Sequence, residues 1–244
     1  MNGAILRLTV RQLLGKKRTL VLVLFALLPV ALALAFRLGG GRDPAEWTAR
    51  PLLSGMIVGT LLPLAALVFG TAAIGSEIED GTAVYLLAKP IRRSAVVLSK
   101  LAVAWAATAA FTLSCVVLAS VVSIQGAPGG PGIIAAFAVA TLVGSLLYCA
   151  LFLLMSVMTS RAFIAGLVYV FLWEALITRL FKGTRVFSVR QYTQAIARQL
   201  TDVPESVFTA DLGFATAMVM TVVVGAGATV LAIRRLQRFE VGES

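Results

Sequence analysis

Six long stretches of mostly apolar residues dominate this 244-residue chain. A helix needs roughly 20 such residues to cross a hydrocarbon core of about 30 Å, because lipid offers the backbone no hydrogen-bond partner. We therefore predict an all-α integral membrane protein with six transmembrane helices. The stretches lie at about residues 19–36, 52–75, 101–124, 133–158, 162–180 and 212–233.

The composition and the spacing of these stretches agree with that prediction. Hydrophobic residues make up 59% of the chain and charged residues 13%, and the mean hydropathy is +0.96. The core of a water-soluble protein of this size cannot bury so much apolar surface. The longest gaps, 76–100 and 181–211, are too short for a soluble domain of ordinary size. We expect one transmembrane domain that spans residues 1–244.

The basic residues are sorted along the chain in a way that indicates topology. A net charge of +10 would suggest nucleic acid as a partner of a soluble protein. Here, with the N-terminus inside, 13 of the 21 Lys and Arg residues fall on the inner side. The positive-inside rule therefore predicts that both termini are cytoplasmic, in a multi-pass protein of the cell membrane that binds no nucleic acid. The excess of Arg over Lys, 16 to 5, suggests a bacterial source.

Two amphipathic segments lie outside the six stretches. Near the N-terminus, apolar residues share one side of a helical wheel, with Arg7 and Arg11 on the other: Ile5, Leu6, Val10, Leu13 and Leu14. This pattern predicts an interfacial helix, unless the charges serve topology alone. Between the last two stretches, a second set recurs at helical spacing: Val186, Val189, Tyr192, Ile196 and Leu200. We expect an outer surface helix over 186–200, with Arg190 and Arg198 facing elsewhere.

The most specific pattern lies in the loop 76–94, between the second and third stretches. Pro90 lacks a backbone N–H, so a helix through residues 82–87 should stop before it. Such a short helix, parallel to the membrane, can dock on a partner protein. Its docking residues would be the apolar Val84, Leu86 and Leu87, the acidic Glu77, Glu79 and Asp80, and Gly81 for close backbone approach. The alternative is a solvated loop in which these residues only make the turn. We expect Lys100 to reach the inner headgroups.

The order of residues in this loop resembles a known family. The pattern E-x-x-D-G-T-x-x-x-L-L-x-x-P-x-x-R is similar to the coupling-helix segment of ATP-binding-cassette (ABC) exporter permeases of the second export class, ABC-2. It is formed by Glu77, Asp80, Gly81, Thr82, Leu86, Leu87, Pro90 and Arg93. The resemblance implies a permease dimer, built with a second copy or a paralogue. Two cytoplasmic ATPase subunits, which hold ATP and Mg, would contact the coupling helix and the N-terminal interfacial helix.

The chain lacks the sequence signals of an enzyme. It contains no GxxxxGK[ST] motif for ATP and no histidine for a Ser-His-Asp site or a His-ligated haem. Cys115 and Cys149 do not form a CxxC pair. We therefore predict no catalytic residue, cofactor or metal in this chain. The alternatives to a permease are a passive channel or membrane anchor of another complex and, with less support, a membrane-embedded enzyme.

One acidic residue, Glu174, interrupts the fifth apolar stretch. An ionisable group at membrane depth is a candidate functional residue. Counted from Ala162, it lies about 18 Å along a helix, near the outer surface, where it could reach water or Arg179. It is either a structural acid or a contact in the substrate path. We interpret Gly55 and Gly59, and Gly225 and Gly227, as positions of close helix packing.

Overall fold

The computed structural model describes residues 17–79, 93–124, 126–127 and 129–237, and the side chains of all of these except 17–23, 75–79, 179 and 182. Every regular element within these ranges is helical, as predicted. Helices α1, α3 and α4 are Lys17–Leu38, Arg93–Ile124 and Gly130–Met158. Helix α2 consists of the consecutive stretches Pro44–Trp47, Thr48–Leu61 and Leu62–Glu79. Helix α5 consists of Ala162–Val168, Tyr169–Ile177 and Thr178–Leu180. A 3₁₀ turn, Lys182–Phe187, leads to α6, Val189–Leu200, and α7 is Phe214–Gln237.

Four helices in the described part of the chain are long and apolar enough to cross a membrane: Pro44–Ile74, Arg93–Ile124, Gly130–Met158 and Phe214–Gln237. Two further apolar helices, Leu24–Leu38 and Ala162–Ile177, are shorter. Each predicted apolar stretch falls on one of these six helical segments. The third helix begins at Arg93, eight residues before the predicted position 101, because the apolar residues 95–98 and the polar residues on either side of them continue the helix.

The middle stretches of α2 and α5 have wider turns than an α-helix. In Thr48–Leu61 and Tyr169–Ile177 the backbone hydrogen bonds are of the π type, in which the N–H of residue i+5 donates to the carbonyl of residue i. At the end of the first stretch, the Leu62 N–H donates to the Ile57 carbonyl. Both stretches continue without a break into the α-helical turns that flank them. Such wide turns change which side chains lie above one another.

Helix α4 lies at the centre of the bundle, where it contacts α2, α3, α5, α6 and α7. Helices α4 and α2 approach closely at Gly70. A Cβ atom at Gly70 would lie 3.1 Å from the Cβ atom of Phe152 and 3.4 Å from the Cα atom of Cys149. Gly70 therefore sets the spacing between α2 and α4.

The four glycines interpreted as packing positions differ in their surroundings. A Cβ atom at Gly59 would lie 3.0 Å from the guanidinium carbon of Arg190, and one at Gly225 would lie 3.0 Å from a methyl carbon of Leu147. At Gly55 the nearest atom is the Arg50 carbonyl oxygen of the same helix, at 3.3 Å, and at Gly227 no atom lies within 4 Å. The interpretation is thus confirmed for Gly59 and Gly225. It is wrong for Gly55 and Gly227, because no atom of another described helix lies within 4 Å of a Cβ atom at either position.

The described helices end at two levels. Helices α2 and α3 run antiparallel. At one end of the bundle α2 ends at Glu79, α3 begins at Arg93 and α7 ends at Gln237. At the opposite end the Thr48 hydroxyl donates to Ser123 Oγ at 2.8 Å, which joins the other ends of α2 and α3. There Arg50 also donates to the Ser206 carbonyl at 2.7 Å and ties segment 201–213 to α2.

The predicted outer surface helix is in fact inserted into the bundle. A helix does form, as Val189–Leu200, but eight of its twelve residues are buried: Val189, Gln191, Tyr192, Thr193, Gln194, Ala195, Ile196 and Ala197. It packs against α4, α7 and the π-type stretch of α2. The surface position was wrong because the polar side of the helix also finds partners inside the protein, where Gln194 Nε2 donates to Ser54 Oγ at 2.7 Å.

Candidate functional site

The predicted docking segment falls mostly outside the described residues. This applies to the N-terminal interfacial helix and to seven of the docking residues: Asp80, Gly81, Thr82, Val84, Leu86, Leu87 and Pro90. Glu77 and Glu79 belong to the last turn of α2, and their side chains also lie outside the described set. The assignment of these residues to a docking surface therefore stays a prediction. The helix ends that flank the segment are described in detail.

Arg93, the first residue of α3, binds the end of α7. Its Nη1 atom donates to the Leu236 carbonyl oxygen at 2.6 Å, in the last turn of α7. Carbonyls in the last turn of a helix have no partner within that helix and carry partial negative charge, which favours a cation there. The predicted partner-contact residue Arg93 thus also links two helices of its own chain.

Lys100 lies two turns further along the same side of α3 and binds α2. Its side chain is fully buried, and its Nζ atom donates to the Ala73 carbonyl oxygen at 2.6 Å. The expectation that Lys100 reaches the headgroups was wrong, because α2 covers the side chain and a backbone carbonyl receives its ammonium group. The beginning of α3 is therefore bonded to both α2 and α7.

Glu174 lies in a buried polar site near the opposite end of the bundle. It is 2% exposed, and three groups donate to its carboxylate: Ser188 Oγ at 2.6 Å, the Val189 N–H at 2.9 Å and the Tyr169 hydroxyl at 3.0 Å. Of the two partners considered for Glu174, water or Arg179, this burial excludes bulk water, because the turn before α6 folds back over the carboxylate and covers it.

The π-type stretch of α5 explains how Tyr169 reaches Glu174. In an α-helix, residues five apart point about 140° away from each other, since each residue turns the chain by about 100°. The longer turn of a π-helix brings residues i and i+5 to the same side. Because the stretch begins at Tyr169, its hydroxyl and the Glu174 carboxylate meet.

The carboxylate also lies at the N-terminus of α6. Ser188 caps this helix, since its Oγ accepts from the Gln191 N–H at 3.3 Å while its hydroxyl proton goes to Glu174. The N–H of Val189, the first residue of α6, points at the same carboxylate. Free N–H groups and the helix dipole favour an anion at this position.

Tyr192, one turn into α6, completes the connection between α6 and the preceding turn. Its hydroxyl donates to the Val186 carbonyl oxygen. Burial, with a smaller effect from the charge of Glu174, raises the pKa of Tyr192 to about 12. Tyr192 therefore stays a neutral donor at physiological pH. Together these bonds fix the orientation of α6 relative to α5.

Comparison with known protein families identifies the family of this chain. A family model described as "ABC-2 family transporter protein" matches residues 15–176, which is well over half of the chain. The chain belongs to the ABC-2 transporter family. No curated protein matched it. The chain is thus a multi-pass membrane protein and a permease component of an ABC transporter.

Membership of the ABC-2 family agrees with the resemblance seen in the sequence. Permeases of this family are membrane transport subunits that generally lack an ATPase site of their own, and they typically partner with ABC ATPase subunits. The matched region contains the whole loop 76–94 and Glu174. Helices α6 and α7 lie beyond it, so the polar contacts of α6 are features of this chain that the family match does not describe.

Proposed function

We propose that the chain is the membrane-spanning subunit of an ATP-driven ABC exporter in a bacterial cell membrane. It forms one domain with six transmembrane helices and cytoplasmic termini, and two copies, or one copy and a paralogue, enclose the substrate path. Separate cytoplasmic ATPases hold ATP and Mg and engage the loop 76–94. The family match over residues 15–176 supports this proposal most strongly, because it includes both that loop and the two helices that flank it.

The contacts at the ends of α2 and α3 support a role for this loop in coupling. ATP binding closes the ATPases, and a docked loop converts that closure into a movement of the attached helices. Residues 80–92 connect α2 to α3, and the bonds of Lys100 and Arg93 link the beginning of α3 to α2 and α7. A displacement of the loop is therefore transmitted to α2, α3 and α7 together.

Purification of the tagged chain in mild detergent, followed by mass spectrometry, tests the proposal. We expect a soluble P-loop protein in stoichiometric amount. Leu86→Asp places a charge in the predicted apolar contact, and Gly81→Trp blocks close approach. Each should lower recovery of the ATPase by about tenfold, the loss of a central interface contact, while the permease still inserts.

The matched control makes the same substitution at the opposite end of the bundle. Leu38 is 79% exposed at the end of α1. Leu38→Asp should leave recovery of the ATPase unchanged. Equal recovery from Leu86→Asp and Leu38→Asp would contradict docking through the loop. If an intact wild-type chain brings down no P-loop protein at all, the chain is a channel or an anchor.

A further inference from the structure

Helix α6 has a composition that is unusual for a helix buried in a membrane bundle. Half of its twelve residues are polar or charged: Arg190, Gln191, Thr193, Gln194, Arg198 and Gln199. Lipid does not accommodate such a helix, because each polar side chain there needs a protein or water partner. The position of α6 must therefore be set by specific contacts with the protein.

The sides of α6 contact two neighbouring helices. Gln194 donates to Ser54 of α2, and the Arg190 guanidinium lies against Gly59 of the same helix. On the other side, Thr193 packs so closely on Gly144 of α4 that a Cβ atom would not fit there. These contacts hold the helix laterally, and the bond from Gln194 to Ser54 is a polar contact that water can replace.

The beginning of α6 is held by bonds to α5: the Glu174 carboxylate accepts two of them, and Trp173 Nε1 donates to the Phe187 carbonyl oxygen at 3.2 Å. The first N–H groups of a helix have no partner within the helix, and in a buried site each must find one elsewhere. Ser188 Oγ accepts from the Gln191 N–H, and Glu174 accepts from both the Val189 N–H and the Ser188 hydroxyl. Hydrogen bonds to a charged carboxylate are stronger than those between neutral groups.

We propose that Glu174 is a positioning residue that holds the beginning of α6 inside the bundle, and that α6 leaves its place when this carboxylate is removed while the surrounding helices stay packed. Helix α4 also packs on α2 and α3 away from the beginning of α6, at Gly70 against Phe152 and at Thr108 against Cys149. Because α6 connects α5 to α7 at the end opposite Glu79 and Arg93, its release opens that end of the bundle alone. Glu174 thus acts through α6, without contacting a transported molecule.

Thiol labelling of the full chain in detergent micelles tests this inference. A reporter thiol is introduced by Thr193→Cys, at a fully buried position of α6. The native Cys149 is the internal reference, because it is also fully buried but contacts Thr108 of α3, with Sγ to Oγ1 at 3.2 Å. Labelling by a polar maleimide is followed at each site by mass spectrometry.

We expect Glu174→Leu to speed labelling at position 193 by about tenfold or more, since the buried Val189 N–H loses its acceptor. Labelling of Cys149 should not change. Glu174→Gln preserves the shape and one acceptor oxygen, so its effect should be intermediate. The matched control, Glu205→Leu at an exposed acid, should change neither rate.

Two results would overturn the inference. If Glu174→Leu and Glu174→Gln leave position 193 protected, the carboxylate does not hold α6. If they expose Cys149 as much as position 193, Glu174 supports the whole bundle without a particular role for α6. Should Glu174→Leu fail to accumulate, Glu174→Gln and Ser188→Ala decide between the same outcomes. The assay needs no ATPase and no cargo, so its failure would leave the exporter proposal untouched.

Discussion

Leucine at position 70 is expected to force α2 and α4 apart and to destabilise the whole bundle. The Cβ atom alone would lie 3.1 Å from Phe152 Cβ and 3.4 Å from the Cys149 backbone, and neither atom can rotate away. Overpacking of this kind costs about 1–3 kcal/mol or more. For a chain of this size, we expect Gly70→Leu to lower the unfolding midpoint by about 5–10 °C, measured as loss of the monodisperse gel-filtration peak on heating.

The control for Gly70→Leu is the same substitution at Gly227 of α7, where no atom lies within 4 Å of the added Cβ. Gly227→Leu should leave the midpoint unchanged or raise it slightly, because leucine favours a helix more than glycine does. Gly70→Ala should fall between the two, since a shift of a few tenths of an ångström accommodates one methyl group. Equal midpoints for the two leucine variants would show that Gly70 does not set the helix spacing.

Glutamate at position 100 is expected to prevent stable packing of α2 against α3. The side chain of Lys100 is fully buried and donates to the Ala73 carbonyl oxygen. A carboxylate there would face the carbonyl without a donor, and an uncompensated buried charge costs about 3–5 kcal/mol. We expect Lys100→Glu to abolish the monodisperse peak or to lower its midpoint by about 10 °C.

Two further variants separate the charge from the position. Lys100→Met keeps most of the length of the side chain and removes its charge, which leaves the Ala73 carbonyl oxygen without the Lys100 donor at a cost of about 1–3 kcal/mol. Its stability should therefore fall between those of the wild-type chain and Lys100→Glu. Arg235→Glu reverses an exposed charge at the same end and should change stability by less than about 0.5 kcal/mol. If Lys100→Glu is as stable as Arg235→Glu, Lys100 is not enclosed between α2 and α3.

The contacts at the beginning of α3 show why the sequence predicted the helix but not its bonds. The apolar stretch was predicted from residue 101, directly after the charged Lys100. The helix extends back to Arg93, so Arg93 and Lys100, seven residues apart, lie on one side of it. Their partners, Leu236 and Ala73, are far away in the chain and offer only backbone carbonyls, which no side-chain pattern reveals.

Helix α6 marks a second limit of the sequence analysis. The spacing of its apolar residues predicted a helix, and Val189–Leu200 is one. The same pattern predicted the wrong location, because an apolar side does not reveal whether the polar side meets water or protein. Gln194, which bonds to Ser54, could have indicated burial only if the position of α2 had been known.

The sequence by itself determined that this chain is a bundle of membrane helices and a member of the ABC-2 family, because the length of an apolar stretch and the order of residues in a loop are local properties. Only the tertiary structure decided what Glu174, Lys100 and Arg93 bind and where α6 lies. Those outcomes depend on backbone N–H and carbonyl groups of other helices, and such groups become partners only after the helices have packed.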